Sequence, residues 1–302
     1  MERVLEALPR GSRVAIVRLR SLGDCVLTTP ALRLLKEFRP DLSVAVVVED
    51  RFREIFEGSP DLEAILPPAL PSLRRFRPLL CLNLHGGPRS AWFTALSGAR
   101  WRAGFGHFRH RFAYNLRIPR AQQILGEERK VHTAEHLASA MFYLGAPRRE
   151  IPPAQLGPPS RDRQGSVAVV HPFAAHPAKT WPAQNFVQLA RHLEQTGLQA
   201  VIIGGPTDDF APFRAFRNLQ AAPLSEIKSL LAAASLFVGN DSGPAHMAAA
   251  FAIPSVVLFS VSDPEIWGPW RAPCEVLSAP QGIHAIPVAR VLEALARLRV
   301  PA

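Results

Sequence analysis

Leu236–Phe259, LFVGNDSGPAHMAAAFAIPSVVLF, reads as a buried strand, a tight polar turn, a short helix of small residues and a second buried strand. Asp241, Ser242 and Gly243 fall where the strand hands over to the helix. The first backbone N–H groups of a helix lack partners, and the positive end of its dipole stands behind them. A glycine there lets an anion approach the backbone closely, so this junction suits a phosphate-bearing ligand. His246 follows one turn later on the same helix and can face the same crevice.

Three further groups end predicted strands, where open α/β sheets place their ligands. Asp24, in Ser21-Leu22-Gly23-Asp24, lies at a helix start. It is either a capping carboxylate or a general base. Lys179-Thr180-Trp181-Pro182 sets an ammonium and a hydroxyl just before an expected helix, an arrangement that suits a diphosphate. A surface lysine beside a packing tryptophan is the plainer reading. Gly204–Asp209, GGPTDD, offers Asp208 or Asp209 to ribose hydroxyls, or serves only its own turn. GxGxxG, GxxxxGK[ST] and GxSxG are all missing, as are a DxD pair and a His/Asp cluster suggestive of a catalytic metal. A Rossmann dehydrogenase, a P-loop NTPase and a serine hydrolase therefore lack their fingerprints, and no metal site is expected.

The elements that must hold these residues alternate strand with helix, which predicts doubly wound parallel sheets. Strands are expected at Val14–Leu19, Ser43–Glu49, Leu79–His85, Ser166–Pro172, Leu198–Pro206 and Ser255–Ser260. Helices are expected at Cys25–Phe38, Asn185–Thr196, Ser225–Ala234 and Val288–Arg299, the last with Val288, Val291, Leu292 and Leu295 on one face. The 302 residues suit two domains. A Pro-, Gly- and charge-rich break divides the chain into 1–152, a linker 153–165, and 166–302. The last helix is allowed to pack back on the first domain.

Charge is uneven. Residues 1–150 carry 24 Lys and Arg against 15 Asp and Glu, a net of +9, out of +10 for the whole chain. Ala64–Gly126 contains no acid and ten arginines: Arg74, Arg75, Arg77, Arg89, Arg100, Arg102, Arg109, Arg111, Arg117 and Arg120. Such a face fits nucleic acid, anionic lipid headgroups or a phosphorylated glycan, or it is simply solvated. No apolar run reaches the roughly 18 residues of a membrane helix, and the N-terminus has no signal-peptide pattern. A cytoplasmic protein is expected. Cys25, Cys81 and Cys274 form no CxxC pair and read as small buried residues.

The ordered set of SLGD after the first strand, KTWP, GGP, NDSGPAHMAAAFAIPSVVLFS and DPEIWGPW, with RSAWFTALSGARWRAGF in the first half, resembles glycosyltransferase family 9. These are the ADP-heptose:lipopolysaccharide heptosyltransferases and their relatives. The resemblance implies a GT-B fold, two Rossmann-like domains facing across a cleft, the first holding the acceptor and the second the nucleotide-sugar. It implies an inverting, metal-independent transfer of heptose from ADP-heptose to the lipopolysaccharide inner core, without a cofactor. By the same resemblance Asp24 is the catalytic base, and Lys179 and Thr180 bind the diphosphate. Asp241, Ser242, Gly243 and His246 match the donor signature, and Asp208 stands where the family often has a ribose-binding Glu. Ser260 replaces the family's usual Gly. Ser21, Gly23, Arg74, Arg75, Arg102, Arg109 and Arg111 become acceptor-binding candidates. The implied acceptor is an anionic lipid-linked glycan of the lipid A–Kdo type, with the inner-membrane surface as a further contact and no nucleic-acid partner. Another nucleotide-sugar or glycan acceptor, a nucleic-acid-binding protein using the arginines, and a relative that has lost catalysis are the competing readings. Asp24→Ala is expected to abolish turnover while leaving ADP affinity and melting temperature nearly intact.

Overall fold

The structure, a computed structural model, describes residues 3–157 and 166–298. Contacts divide the chain into two units, Met1–Gly157 and Pro158–Ala302. The first opens with helix α1 (Val4–Ala7), followed by β1 (Arg13–Val17), α2 (Leu22–Phe38), β2 (Ser43–Val47), α3 (Arg53–Phe56) and β3 (Ala64–Leu66). It continues with α4 (Leu70–Phe76), β4 (Leu80–Asn83), α5 (Pro88–Leu96), β5 (Trp101–Phe105), β6 (Leu116–Ile118), α6 (Ala121–Leu125) and α7 (Thr133–Tyr143).

All six strands are parallel, in the order β3-β2-β1-β4-β5-β6. The central strands bury both faces, as their unbroken Val, Ile, Ala and Leu runs require. Chain order reverses between β1 and β4, and the crevice at the carboxyl ends of such a pair is where open sheets take ligands.

Helix α2 packs against α7 and carries Pro30 in its interior. Proline has no N–H for the Val26 carbonyl four residues back. The Thr29 hydroxyl donates to that carbonyl instead, at 2.8 Å. The Gln155 amide then donates to the same hydroxyl at 3.0 Å. Ile151, Ala154 and Leu156 are buried, so the start of the expected linker, 153–157, is packed chain of the first unit. The remainder, 158–165, lies outside the described residues.

The second unit repeats the plan. It runs β7 (Val167–His171), α8 (Ala183–Gln195), β8 (Gln199–Gly204), β9 (Arg217–Gln220), α9 (Leu224–Ala233) and β10 (Leu236–Asn240). Then come α10 (Gly243–Ala250), β11 (Ser255–Phe259), α11 (Pro264–Trp267), β12 (Cys274–Ser278) and α12 (Val288–Arg297). The parallel order β12-β11-β10-β7-β8-β9 reverses between β7 and β10. Helix α12 buries Val291 and Ala294 in this unit's core beside α8, with Val288, Leu292 and Leu295 partly buried there. Among the described residues no helix is long and apolar enough to cross a membrane.

Candidate active site

At the reversal point of the first sheet, Ser21 is the N-cap of α2 and Asp24 its third residue. One Asp24 oxygen accepts from the Ser21 amide at 3.2 Å and the Ser21 hydroxyl at 2.8 Å. The other faces the Arg18 guanidinium at 3.4 Å. Arg18 is buried and also donates to the Leu84 carbonyl, which ties the β1 and β4 loops together. Asp24 caps its helix, and its side chain stands 24% exposed at the carboxyl edge of the sheet. Gly23 is buried beneath it in the first helical turn.

The β4 loop is shaped by Asn83, a fully buried amide. Its oxygen accepts from the His85 and Gly86 amides at 2.9 and 3.0 Å. Its nitrogen donates to Ser90 Oγ at 3.0 Å and to the Tyr114 hydroxyl at 2.9 Å. Gly104 makes room for that tyrosine: a Cβ there would lie 2.6 Å from the ring. His85 is presented next to Asp24 and Arg18, and burial followed by the Arg18 charge lowers its pKa. Deeper in the edge, His136 stacks on Phe105 at 4.0 Å between centroids, with His107 5.3 Å away.

At the reversal point of the second sheet, Lys179 Nζ pairs with Asp241 Oδ2 at 2.7 Å, bringing together two groups 62 residues apart in sequence. Asp241 is 9% exposed and Lys179 29%. The Ser262 hydroxyl also donates to the same Asp241 oxygen. Lys179 ends a 3-10 turn, Pro177–Lys179, and α8 starts only at Ala183. The expected helix entrance is therefore a separate turn. Asn240 fixes it, accepting from the Trp181 amide at 3.1 Å and donating to the Pro172 carbonyl at 2.9 Å. Trp181 is fully buried and its indole N–H reaches the Ile286 carbonyl at 2.8 Å. Ser260 Oγ donates to the Ala178 carbonyl at 2.6 Å, so the β11 loop grips the lysine's turn.

Ser242 is the N-cap of α10, Gly243 its first residue, and Ser242 Oγ lies 3.0 Å from His171 Nδ1. His246 is buried on that helix. The Thr180 hydroxyl donates to the His176 carbonyl at 3.2 Å, within its own turn. Asp208 accepts from the Gly205 amide at 2.7 Å, closing the glycine turn. Gly204 is needed there, since a Cβ would lie 2.6 Å from the Phe173 ring and 2.9 Å from the Asp208 carboxylate. A cation, an anion and the Ser242 and Gly243 N–H groups ahead of Pro244 thus share one edge, an arrangement suited to a diphosphate.

A family model described as glycosyltransferase family 9 (heptosyltransferase) matches residues 72–286. The chain belongs to glycosyltransferase family 9. One relative, lipopolysaccharide heptosyltransferase 3 of Escherichia coli K12, is 25% identical over 83% of this chain and 83% of its own. A family 9 glycosyltransferase from Veillonella parvula superposes with a TM-score of 0.84 at 20% identity, covering 95% of this chain and 97% of that one. The E. coli ADP-heptose lps heptosyltransferase II does so with a TM-score of 0.80 at 23% identity, over 95% and 98%. The fold is that of GT-B glycosyltransferases, and the protein is a glycosyltransferase.

Within this family 9 member the arginines do not form one face. Strands run parallel and helices return antiparallel, so successive segments alternate between the two ends of the sheet. Arg74 and Arg75 close α4 at the amino end, where Arg74 donates to the Leu96 carbonyl at 2.8 Å. Arg102 opens β5 at that end and reaches the Ala99 carbonyl at 3.3 Å. These three stand at the opposite end of the sheet from Asp24. Arg109 and Arg111 follow β5 at the carboxyl edge, and Arg89 and Arg120 begin α5 and α6 there. Composition shows a surplus of charge but not which end of a strand carries it.

Arg18, His85, His107, His136, Asn83, Asn240 and Ser262 did not emerge as site residues from sequence reasoning. Position was the available signal: Arg18 is next to last in the strand run VAIVRL and His85 closes LLCLNLH. Cys25 and Cys81 are buried as expected, whereas Cys274 is half-buried on the edge strand β12. Among the described residues no group of three or more His, Cys, Asp or Glu could hold a metal.

Burial lowers His136 and His171 each to about 4, with His107 and then Arg18 adding to the shift at His136. An unfolded histidine titrates near 6.5. Between those values the unfolded chain binds protons that the folded chain refuses, so stability is full above about pH 6.5 and falls as pH drops toward 4. The loss is up to roughly 3 kcal/mol per histidine. Melting temperature should fall steeply between pH 6.5 and 5, and His136→Phe should flatten the curve. An unaltered slope in that variant would assign the loss to other groups.

Proposed function

We propose that this enzyme transfers heptose from ADP-heptose to the inner core of lipopolysaccharide, with inversion and without a metal. One observation carries the reading: Asp24 and the Lys179–Asp241 pair each occupy the reversal point of a sheet, where ligands enter. In this scheme Asp24 takes the proton from the attacking acceptor hydroxyl through the oxygen that faces Arg18. The leaving ADP gains charge as the glycosidic bond breaks. Lys179, the turn around Thr180 and the N–H groups of Ser242 and Gly243 meet that charge. Asp208, already holding its turn, has its second oxygen for the ribose. Arg109, Arg111, Ser21 and Gly23 border the acceptor side, where an anionic lipid-linked glycan of the lipid A–Kdo type is expected. The enzyme works in the cytoplasm, at the inner-membrane surface.

The nucleic-acid alternative uses the arginine stretch, and it leaves the Lys179–Asp241 pair without a role. A different sugar nucleotide is the alternative that matters. Thermal-shift titration with ADP-, GDP- and UDP-sugars separates the two. At one hundred times its Kd the true donor adds about 2.7 kcal/mol of stability. ADP-heptose should raise the melting temperature most, and a larger rise with a GDP- or UDP-sugar would overturn the donor assignment.

A further inference from the structure

The acid-free stretch leaves aromatic rings in water. Trp92 on α5 is 55% exposed and Phe112, in the 3-10 turn Arg111–Ala113, is 62% exposed. Their centroids lie 5.9 Å apart in an edge-to-face pair. Arg109 and Arg111 precede Phe112 in sequence and are exposed, and among the described residues neither pairs with a carboxylate. Helix α5 starts directly after β4, and the Arg111–Ala113 turn, which follows β5, packs against it. The rings therefore border the edge that carries Asp24.

We propose that this patch seats the enzyme on an anionic lipid bilayer. Trp92 and Phe112 enter the boundary between headgroups and acyl chains, while Arg109 and Arg111 meet lipid phosphates. Neither signal suffices alone, since stable attachment takes apolar anchors together with a basic cluster. Two aromatic side chains fall far short of the roughly 800 Å² that each partner buries in a stable protein interface. Their uncompensated positive rim also matches a sheet of phosphates. The inference deepens the proposed function, which places the acceptor on a lipid.

The test is sedimentation of the full chain with phosphatidylcholine vesicles, with and without about a third phosphatidylglycerol, in the absence of any substrate. Binding should require the anionic lipid and weaken with salt. W92S/F112S should lower vesicle affinity at least about tenfold. Its melting temperature and donor-induced thermal shift should stay unchanged, because exposed positions contribute little to the fold. R109Q and R111Q should each cost about fivefold. Equal binding by W92S/F112S, no binding by the wild type, or a dimer that W92S/F112S dissociates would overturn the proposal. Because no donor is present, vesicle binding by a chain that ignores ADP-heptose would sink the proposed reaction and leave the patch standing. Donor binding without vesicle binding would do the reverse.

Discussion

Asp24→Asn should lower turnover by about 10²–10⁴ while ADP affinity holds, since general-base catalysis contributes on that order. Asparagine keeps the shape and can still accept from the Ser21 amide and hydroxyl that hold Asp24 at 3.2 and 2.8 Å. What it loses is the ability to take a proton. Asp24→Ala is the poorer variant, and here the structure changes what the sequence led us to expect. Alanine also removes the helix-capping interaction, at about 0.5–2 kcal/mol. Both variants take the carboxylate from the buried Arg18, a destabilisation they share. The melting temperature should therefore fall further for alanine than for asparagine, and the asparagine variant separates the loss of the base from the loss of the cap. Single-turnover transfer at saturating donor measures the effect, and near-normal transfer by Asp24→Asn removes this residue from the mechanism.

Lys179→Ala should reduce kcat/KM by about 10²–10³, in line with the loss of one preorganised donor to a developing charge. Two effects act together. The ammonium no longer meets the diphosphate, and the Asp241 carboxylate, 9% exposed and 2.7 Å from that ammonium, is left without its cation. An unpaired carboxylate at this edge repels an incoming diphosphate. Lys179→Ala/Asp241→Asn should therefore bind ADP more tightly than Lys179→Ala alone. The difference, read by titration calorimetry, is the coupling between the two. Purely additive effects would mean that the pair does not act on the ligand.

Much of this was legible in sequence because burial writes a plain signal. Strands β1, β2, β7, β8, β10 and β11 are central or nearly so, and their unbroken apolar runs give both their existence and their parallel setting. The residues that follow β1, β7 and β10 could then be placed at the ligand edge by topology alone. Strands β3, β9 and β12 lie at the margins, where half-exposed faces dilute the pattern. RNLQ in β9 has no apolar run at all. Strand β5, WRAGF, hides an Arg and a Gly whose reason is the Tyr114 ring packed on it. The Lys179–Asp241 pair could be guessed only as two separate motifs, since no local rule joins residues 62 apart. Arg18 and the histidines behind Asp24 were missed because their importance comes from neighbours across the sheet. The arginines misled for the related reason that charge in sequence carries no side.

A crystal structure with ADP-heptose bound tests the central claim most directly. The account predicts a diphosphate oxygen within hydrogen-bond distance of Lys179 Nζ, the same group facing the N–H start of α10, and Lys179 drawn from its present partner Asp241. A diphosphate lodged elsewhere, with the Lys179–Asp241 pair intact, would contradict it.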